Sequence, residues 1–128
     1  MKYLLDTHTF FWSLQSPGKL SPTTREVIAD PSAELYLSIA TPWELAIKTK
    51  IGKLKAGAIL IRFGELTSSG GYNVLETKPE HVIRAGLLPL HHRDPFDRLL
   101  IAQALDFGLP IMSRDEKLDV YGIRRIWK

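Results

Sequence analysis

The sequence predicts an α/β fold in which a mainly parallel sheet is covered by helices on both faces. Short apolar runs of strand length alternate with longer helical segments along the chain, which is the order expected of a parallel sheet. The chain has 128 residues, 45% of them hydrophobic, which suffices for one core and one domain over residues 1–128. It has no internal repeat, low-complexity tract or linker.

Five apolar runs have the length of buried strands. They are residues 3–5, 35–40, 72–75, 109–113 and 124–127. Runs of this kind, bounded by turn residues or by the start of a helix, are typical of strands buried in a sheet. Ligands of such sheets bind beyond the carboxyl ends of the strands. Polar residues that directly follow these runs are therefore candidates for a functional site.

Six segments between these runs have helical character. They are a helix that begins around residues 10–12, and residues 22–29, 41–51, 56–67, 79–86 and 95–107. Ser-Pro, Thr-Pro and Asp-Pro pairs that begin at residues 21, 41 and 94 each place an N-cap before Pro at the first helical position. Gly52 and Gly108 end the third and the sixth helix, and a short helical turn covers residues 116–118.

The composition excludes several classes of site and partner. The chain has no cysteine, which rules out disulfides, thiolate metal sites and cysteine nucleophiles. A net charge of +3 permits a nucleic-acid partner without establishing one. No apolar stretch is long enough to span a membrane, and Asp6 interrupts the amino terminus before a signal-peptide core could form. We expect a cytoplasmic protein.

Four acids stand at or just past the apolar segments, where the fold would turn toward one face. They are Asp6, Glu44, Asp97 and Asp115. If the fold brings them together, mutual repulsion disfavours full ionisation unless a cation compensates. Carboxylates without cysteine favour Mg²⁺ or Mn²⁺ over zinc. The pattern predicts a metal site that contains all four acids.

Helix capping is the alternative explanation for these acids. Glu44 is the N3 residue of a Thr-x-x-Glu capping box that begins at Thr41, and it lies four residues before Lys48. Asp97 holds the same N3 position behind Asp94, where the positive helix end favours a carboxylate. The other two acids fit an N-cap and a turn. Capping does not explain why the helix starts converge on one edge of the sheet.

Four side chains beside the acids are candidates for contact with substrate. They are Thr7, Lys48, Arg98 and Ser113. Caps, ion pairs and solvated faces explain each of them as well. Three tryptophans, Trp12, Trp43 and Trp127, are expected in the core or in an interface.

Histidine offers a competing metal site. His91 and His92 precede Asp94, but their spacing matches no standard zinc pattern. We expect both to face solvent in a loop. His8 follows Asp6 and is a weaker candidate for contact with substrate.

Four motifs carry a family resemblance. They are residues 1–9 (MKYLLDTHT), residues 42–48 with 52–54 (PWELAIK and GKL), residues 92–104 (HRDPFDRLLIAQA) and residues 111–115 (IMSRD). In order and spacing they resemble PIN-domain proteins, and among these the VapC-like toxins of type II toxin-antitoxin systems. The resemblance covers nearly the whole chain. It implies a three-layer α/β/α sandwich and cleavage of RNA with Mg²⁺ or Mn²⁺.

The resemblance also assigns roles to residues and implies partners. Asp6 and Asp97 become the direct metal ligands, and Glu44 and Asp115 bind through water or orient the attacking water. Asp119 is an alternative to Asp115 as the fourth acid. The implied partners are a VapB-like antitoxin, laid into a hydrophobic groove over the acids, and a second copy of the chain. Residues 59–66 are a candidate for part of such a contact surface, although core packing explains them equally well.

Three other functions compete with the ribonuclease interpretation. A haloacid dehalogenase pattern needs Asp-x-Asp after the first strand, and the second position here is His8. A response-regulator receiver, which also binds Mg²⁺, needs an acid pair there, and Asp6-Thr7 does not supply it. A catalytically silent PIN-like binding module is the third alternative, and the presence of all four acids argues against it.

Overall fold

A five-stranded parallel sheet forms the centre of the molecule. The computed structural model describes residues 1–92 and 94–128, so Arg93 of the HRDPFD motif lies outside the described residues. The strands are β1 (Lys2–Leu5), β2 (Glu34–Ser38), β3 (Tyr72–Leu75), β4 (Ile111–Met112) and β5 (Arg125–Ile126). Their order is β3-β2-β1-β4-β5, and every pairing is parallel. The predicted α/β fold class is confirmed.

The central strand pairs with segments from both halves of the chain. Leu5 lies opposite Leu37 of β2 and opposite Met112 of β4. From β1 the chain builds outward through β2 to β3, and it later returns to the other side of β1 to add β4 and β5. The chain therefore adds strands first on one side of β1 and then, from β4 onward, on the other side. In open parallel sheets this switch point leaves a crevice at the carboxyl ends of the strands.

Seven α-helices and two 3₁₀ helices connect the strands within the described residues. The α-helices are α1 (Thr7–Gln15), α2 (Pro22–Ala29), α3 (Ala40–Lys50), α4 (Gly57–Ile61), α5 (Phe63–Ser69), α6 (Pro79–Leu87) and α7 (Pro95–Phe107). The 3₁₀ helices cover Pro17–Lys19 and Glu116–Tyr121. None of the described helices is long and apolar enough to cross a membrane. The one-domain organisation stays a prediction.

Alternate residues of the central strand point to two separate cores. Leu5 is fully buried against Phe10, Leu37 and Leu45, with α4 and α5 completing that layer. Leu4 is fully buried in a second cluster, formed mainly by α7 through Leu100, Ile101 and Ala104. A period of two along a strand sends neighbouring side chains to opposite faces. Helices therefore cover both faces of the sheet.

Three predicted helices differ from those observed. Helix α1 begins at Thr7 rather than around residues 10–12, because Asp6 caps it. Residues 56–67 form α4 and α5 rather than one helix, and Arg62 between them leaves the helical region at φ −107° and ψ 19°. Helix α3 begins at Ala40, before the predicted cap at Thr41. Its N-cap position is Ile39, which has no side chain that could cap, and Ser38 Oγ instead accepts from the N–H of Ala40. The predicted Thr41–Glu44 capping box is wrong.

Replacing Gly108 should destabilise the protein through backbone conformation alone, without a steric clash. It ends α7 at φ +66°, and a Cβ added there meets no atom within 4 Å. The left-handed conformation alone disfavours a side chain, so Gly108→Ala should lower the free energy of unfolding by about 1–2 kcal/mol in urea denaturation.

Gly86 provides the matched control for Gly108. It lies inside α6, and an added Cβ there is also free of contacts. Gly86→Ala should raise the free energy of unfolding by up to about 1 kcal/mol, because alanine favours the helix. Equal effects of the two substitutions would contradict the assigned conformations.

Candidate metal and active site

Asp6 sits at the carboxyl end of the central strand and caps the first helix. Its Oδ1 accepts from the N–H of Thr9 at 2.8 Å, and its Oδ2 accepts from Ser113 Oγ at 2.5 Å. Burial raises the pKa of this carboxyl above its usual value, although the hydrogen bonds from Ser113 and Thr9 act in the opposite direction. Ser113 follows β4, so this contact joins the two strands at the switch point.

Glu44 reaches the same region from α3. Its Oε1 accepts from Thr7 Oγ1 at 2.5 Å, and its Oε2 pairs with Lys48 Nζ at 2.5 Å. The side chain is almost entirely buried. The sequence predicted that Glu44 caps its own helix, and that prediction is wrong. The side chain instead connects α3 to the start of α1. The predicted Glu44–Lys48 pair is present one helical turn apart.

His92 holds Asp97 and Asp115 together. Its Nε2 lies 3.0 Å from Asp97 Oδ2 and 3.1 Å from Asp115 Oδ2. The N–H of Asp94 points to His92 Nδ1 at 3.3 Å, which assigns the proton of the neutral ring to Nε2. The ring then donates to Asp115, and Asp97 Oδ2 lies within ion-pair distance of the same nitrogen. Ligand atoms of these three residues lie within 4.8 Å of one another.

The pKa of Asp97 reports the convergence of the acids. It is raised from 3.8 to about 8, first by burial and then by the negative charges of Asp94, Glu44, Asp6 and Asp115. A carboxyl can be influenced in this way only by charges that lie close to it. The four predicted acids therefore surround one region at the switch point of the sheet.

These acids fit a hard divalent cation. Carboxylate oxygens are the preferred donors of Mg²⁺ and Mn²⁺, and the chain has no cysteine that would favour zinc. The raised pKa values of Asp6 and Asp97 show that the site resists full ionisation without a compensating charge. Both oxygens of Asp6 and both oxygens of Glu44 have protein partners, whereas the Oδ1 atom of Asp97 has none among the described residues.

The remaining candidates have more ordinary contacts. Arg98 donates to the carbonyl oxygens of Gly86 and Leu88 beyond the end of α6, so its predicted contact with substrate gains no support. Asp119 pairs with Arg125 on the surface, which lowers the pKa of that acid.

Capping by Asp94 and Asp115 is confirmed. Asp94 Oδ1 accepts from the N–H groups of Phe96 and Asp97, and Asp115 Oδ1 accepts from the N–H of Lys117. Asp115 thus combines the capping role with its contact to His92, because its two carboxylate oxygens point to different partners.

His92 is the site residue that the sequence analysis missed. It was expected to face solvent, and that expectation is wrong, because its side chain is only 13% exposed. Tyr121 fixes the loop: its hydroxyl accepts from the N–H of His92 and donates to the carbonyl of Pro89. The sequence signal that could have identified His92 is its position two residues before Asp94. His91 is exposed, as expected, and packs beside Tyr121.

Comparisons with known proteins agree with this fold. The family model described as the PIN domain matches residues 3–123. No curated protein matches the chain. VapBC-1 from nontypeable Haemophilus influenzae has a TM-score of 0.68 at 19% identity, covering 98% of this chain and 97% of that chain.

Two further solved structures are similar. VapBC2 from Rickettsia felis, bound to a DNA fragment from its promoter, has a TM-score of 0.70 at 12% identity and covers 100% of both chains. FitAcB from Neisseria gonorrhoeae has a TM-score of 0.60 at 18% identity, covering 97% of this chain and 96% of that chain. At such identities the likeness shows the fold.

Asp97→Asn should stabilise the metal-free protein at alkaline pH. The folded-state pKa of Asp97 lies above its unfolded value, so its contribution to stability is complete below about pH 4 and is lost as the pH rises toward 8. Measured in EDTA at pH 8, the variant should gain about 1–5 kcal/mol in free energy of unfolding. The gain should vanish near pH 4.

Asp119→Asn is the control for this pH dependence. The pKa of Asp119 is lowered by its hydrogen bond to Arg125, so its stabilising contribution is present above the unfolded pKa and is lost on acidification. This variant should gain nothing at pH 8. A wild-type stability that stays flat between pH 4 and 8 would contradict the crowding of acids around Asp97.

Proposed function

The chain belongs to the PIN domain family, and from this premise we propose that it is a metal-dependent endoribonuclease, the toxin of a type II toxin-antitoxin pair. The observation that carries the proposal is the crowding of Asp6, Glu44 and Asp115 around Asp97, which raises the pKa of Asp97 to about 8. A family of nucleases and a site built to attract a cation support the same chemistry.

Asp6 and Asp97 are the proposed direct ligands of Mg²⁺ or Mn²⁺. When bound, the cation supplies positive charge that offsets the acids and stabilises charge developing on the scissile phosphate. Glu44 and Asp115 orient the attacking water. Glu44 already forms an ion pair with Lys48 and accepts from Thr7, which supports an orienting role for this acid.

Ser113 and His92 are proposed to position the ligands. Ser113 donates to Asp6, and His92 donates to Asp115 with Asp97 Oδ2 3.0 Å from the same ring nitrogen. Fixing the acids before the cation arrives lowers the cost of organising the site. Thr7 acts in the same way on Glu44. These contacts make Thr7 and Ser113 orienting residues, and no contact with RNA is needed to explain them.

The strand order argues against the receiver interpretation. Receivers have the order 2-1-3-4-5, whereas this sheet has the order β3-β2-β1-β4-β5. The position after Asp6 is Thr7, and its hydroxyl binds Glu44 rather than a cation. A silent binding module remains the other candidate, and the assembled acids argue against it.

An antitoxin is the proposed protein partner. The similar structures include VapBC-1 and VapBC2, which are toxin-antitoxin structures. We propose that a VapB-like antitoxin covers the acids of this chain and thereby blocks cleavage. A toxin that cleaves RNA and is blocked by an antitoxin would act in the cytoplasm, which is the location we propose.

A second copy of the chain is proposed to bind along α3 rather than at residues 59–66. Ile59 is buried, and Leu60, Phe63 and Leu66 pack against the core, so core packing explains most of that segment. On α3 and at its two ends, by contrast, large apolar side chains are exposed at every fourth residue: Ile39, Trp43, Ile47 and Ile51. Such a continuous stripe is typical of a helix that packs against a partner.

Asp6→Asn should abolish Mg²⁺-dependent cleavage of RNA while leaving the fold intact. The side chains have the same shape, and loss of one buried charge does not destabilise a site that resists ionisation. The cleavage rate should fall by more than about 100-fold, beyond the effect typical of an outer residue around a metal. Circular dichroism and a gel-based cleavage assay measure the two effects.

Asp119→Asn is the matched control for this cleavage assay. Asp119 pairs with Arg125 on the surface, so the variant should cleave at the rate of the wild type. Unchanged cleavage by Asp6→Asn would reject the assignment of the site, and loss of cleavage in Asp119→Asn would make Asp119 the fourth acid.

Ile47→Glu should convert a dimer to a monomer. It places a charge in the middle of the α3 stripe, and burying that charge in an apolar interface is costly. Sedimentation equilibrium should show a dissociation constant at least about tenfold higher. Ile61→Glu is the control, because Ile61 is 88% exposed on α4 in the segment first considered. If only Ile61→Glu dissociates the dimer, the surface lies on α4.

A further inference from the structure

A large groove opens beside the acid site, on the side of β4 and β5. Its volume is about 990 Å³, which is at the upper end of ordinary ligand pockets. Asp6 and Asp115 form part of its wall, so the groove is continuous with the acids. We call it the aromatic groove. Its lining also includes three aromatic rings and three cations, namely His8, Trp12, Trp127, Arg114, Arg124 and Lys128.

Three rings form a series that begins two residues after Asp6. The ring centroids of His8 and Trp12 lie 5.6 Å apart with planes inclined at 53°. Those of Trp12 and Trp127 lie 6.1 Å apart at 60°. All three side chains are partly exposed. Aromatic faces at a solvent-filled groove are suited to stacking on the bases of a nucleic acid.

Positive charge lies next to these rings. The side chains of Arg114, Arg124 and Lys128 make no ion pair within the part of the chain that the structure describes. Lys19 Nζ lies 5.8 Å above the ring of Trp12 and adds another cation. Guanidinium groups without a protein carboxylate are well suited to phosphate oxygens.

We propose that the aromatic groove binds a single-stranded segment of RNA that leads into the acid site. The bases contact His8, Trp12 and Trp127, and the phosphates contact Arg114 and Arg124. This inference rests on the proposed ribonuclease function and names the part of the protein that receives the substrate.

The tilt of the rings restricts the occupant to a single strand. Bases that contact successive inclined rings cannot remain stacked on one another as they do in a duplex. Recognition of unstacked bases on aromatic side chains is typical of single-stranded RNA. The positive charge of the groove favours a nucleic acid as its occupant over an acidic or apolar peptide. Three carboxylates line the groove, Asp6, Asp115 and Glu116. A bound cation would neutralise the first two, and the positive charges of Arg114, Arg124 and Lys128 exceed the charge of the third.

Binding can be measured separately from cleavage by titrating the protein with RNA in EDTA. The first probe is a short fluorescein-labelled oligouridylate, and the second is an abasic ribose-phosphate oligomer of the same length. The oligouridylate should bind at least about tenfold more tightly, because the abasic oligomer keeps the phosphates but loses the stacking. Equal affinities of the two oligomers would overturn the proposal.

Variants at Trp127 test the rings directly. Trp127→Leu keeps an apolar side chain but removes the aromatic face, so it should weaken oligouridylate binding about tenfold. Trp127→Phe keeps a ring and should restore most of the affinity. If Trp127→Leu does not fold, the comparison of the two oligomers still decides the question.

A variant at Arg124 tests the phosphate contacts. Arg124→Gln should reduce the slope of log affinity against log salt by about 0.7, the contribution of one phosphate contact to a single strand. Arg84→Gln, on the exposed face of α6 away from the groove, should leave the slope unchanged. Equal slopes in Arg124→Gln and Arg84→Gln would overturn the proposed phosphate contact.

The two proposals fail in different ways. Groove-dependent binding in EDTA without any cleavage in Mg²⁺ would reject the ribonuclease function and keep the groove as a binding site for RNA. Cleavage in Mg²⁺ with oligouridylate binding unchanged by Trp127→Leu would reject the groove alone. If Trp127→Leu instead weakens only the complex with a co-expressed antitoxin, the groove belongs to the protein partner and the proposal is overturned.

Discussion

Repulsion among carboxylates is the constraint on which the rest of this site depends. The sheet brings Asp6, Glu44 and Asp115 close enough to Asp97 to raise its pKa to about 8. An arrangement of this kind opposes folding, so the surrounding structure has to hold it in place. Ser113, Thr7 and His92 do so by donating hydrogen bonds to the acids. The folded protein therefore carries the electrostatic cost of this repulsion.

Much of the fold was predictable because its signals are local. The Ser21-Pro22 and Asp94-Pro95 pairs open helices where expected, and Gly108 ends α7. Each strand follows from a short apolar run, and parallel order follows from their alternation with helices. The same logic located Asp6 and Asp115 at the carboxyl ends of β1 and β4, because polar residues after buried strands lie on one edge of the sheet.

The errors fall where a tertiary contact overrides a local preference. Thr41 and Glu44 have the spacing of a capping box, but Ser38 starts the helix earlier and Glu44 turns to Thr7. His92 lies in a loop whose sequence says nothing about Tyr121, which is distant in the chain and fixes its backbone. Neither outcome can be inferred from spacing, because both depend on segments that only the folded sheet brings together.

The pairing of the central strand determines when the site exists at all. Residue 5 lies beside residues 37 and 112, so the sheet closes around contacts that are distant in sequence. Folds rich in distant contacts assemble slowly and as whole units. Ser113 and Asp115 follow β4, so the acids cannot meet before β4 has paired with β1. The acid site therefore forms only on completion of the sheet, and a partly folded chain that has paired only β1, β2 and β3 lacks it.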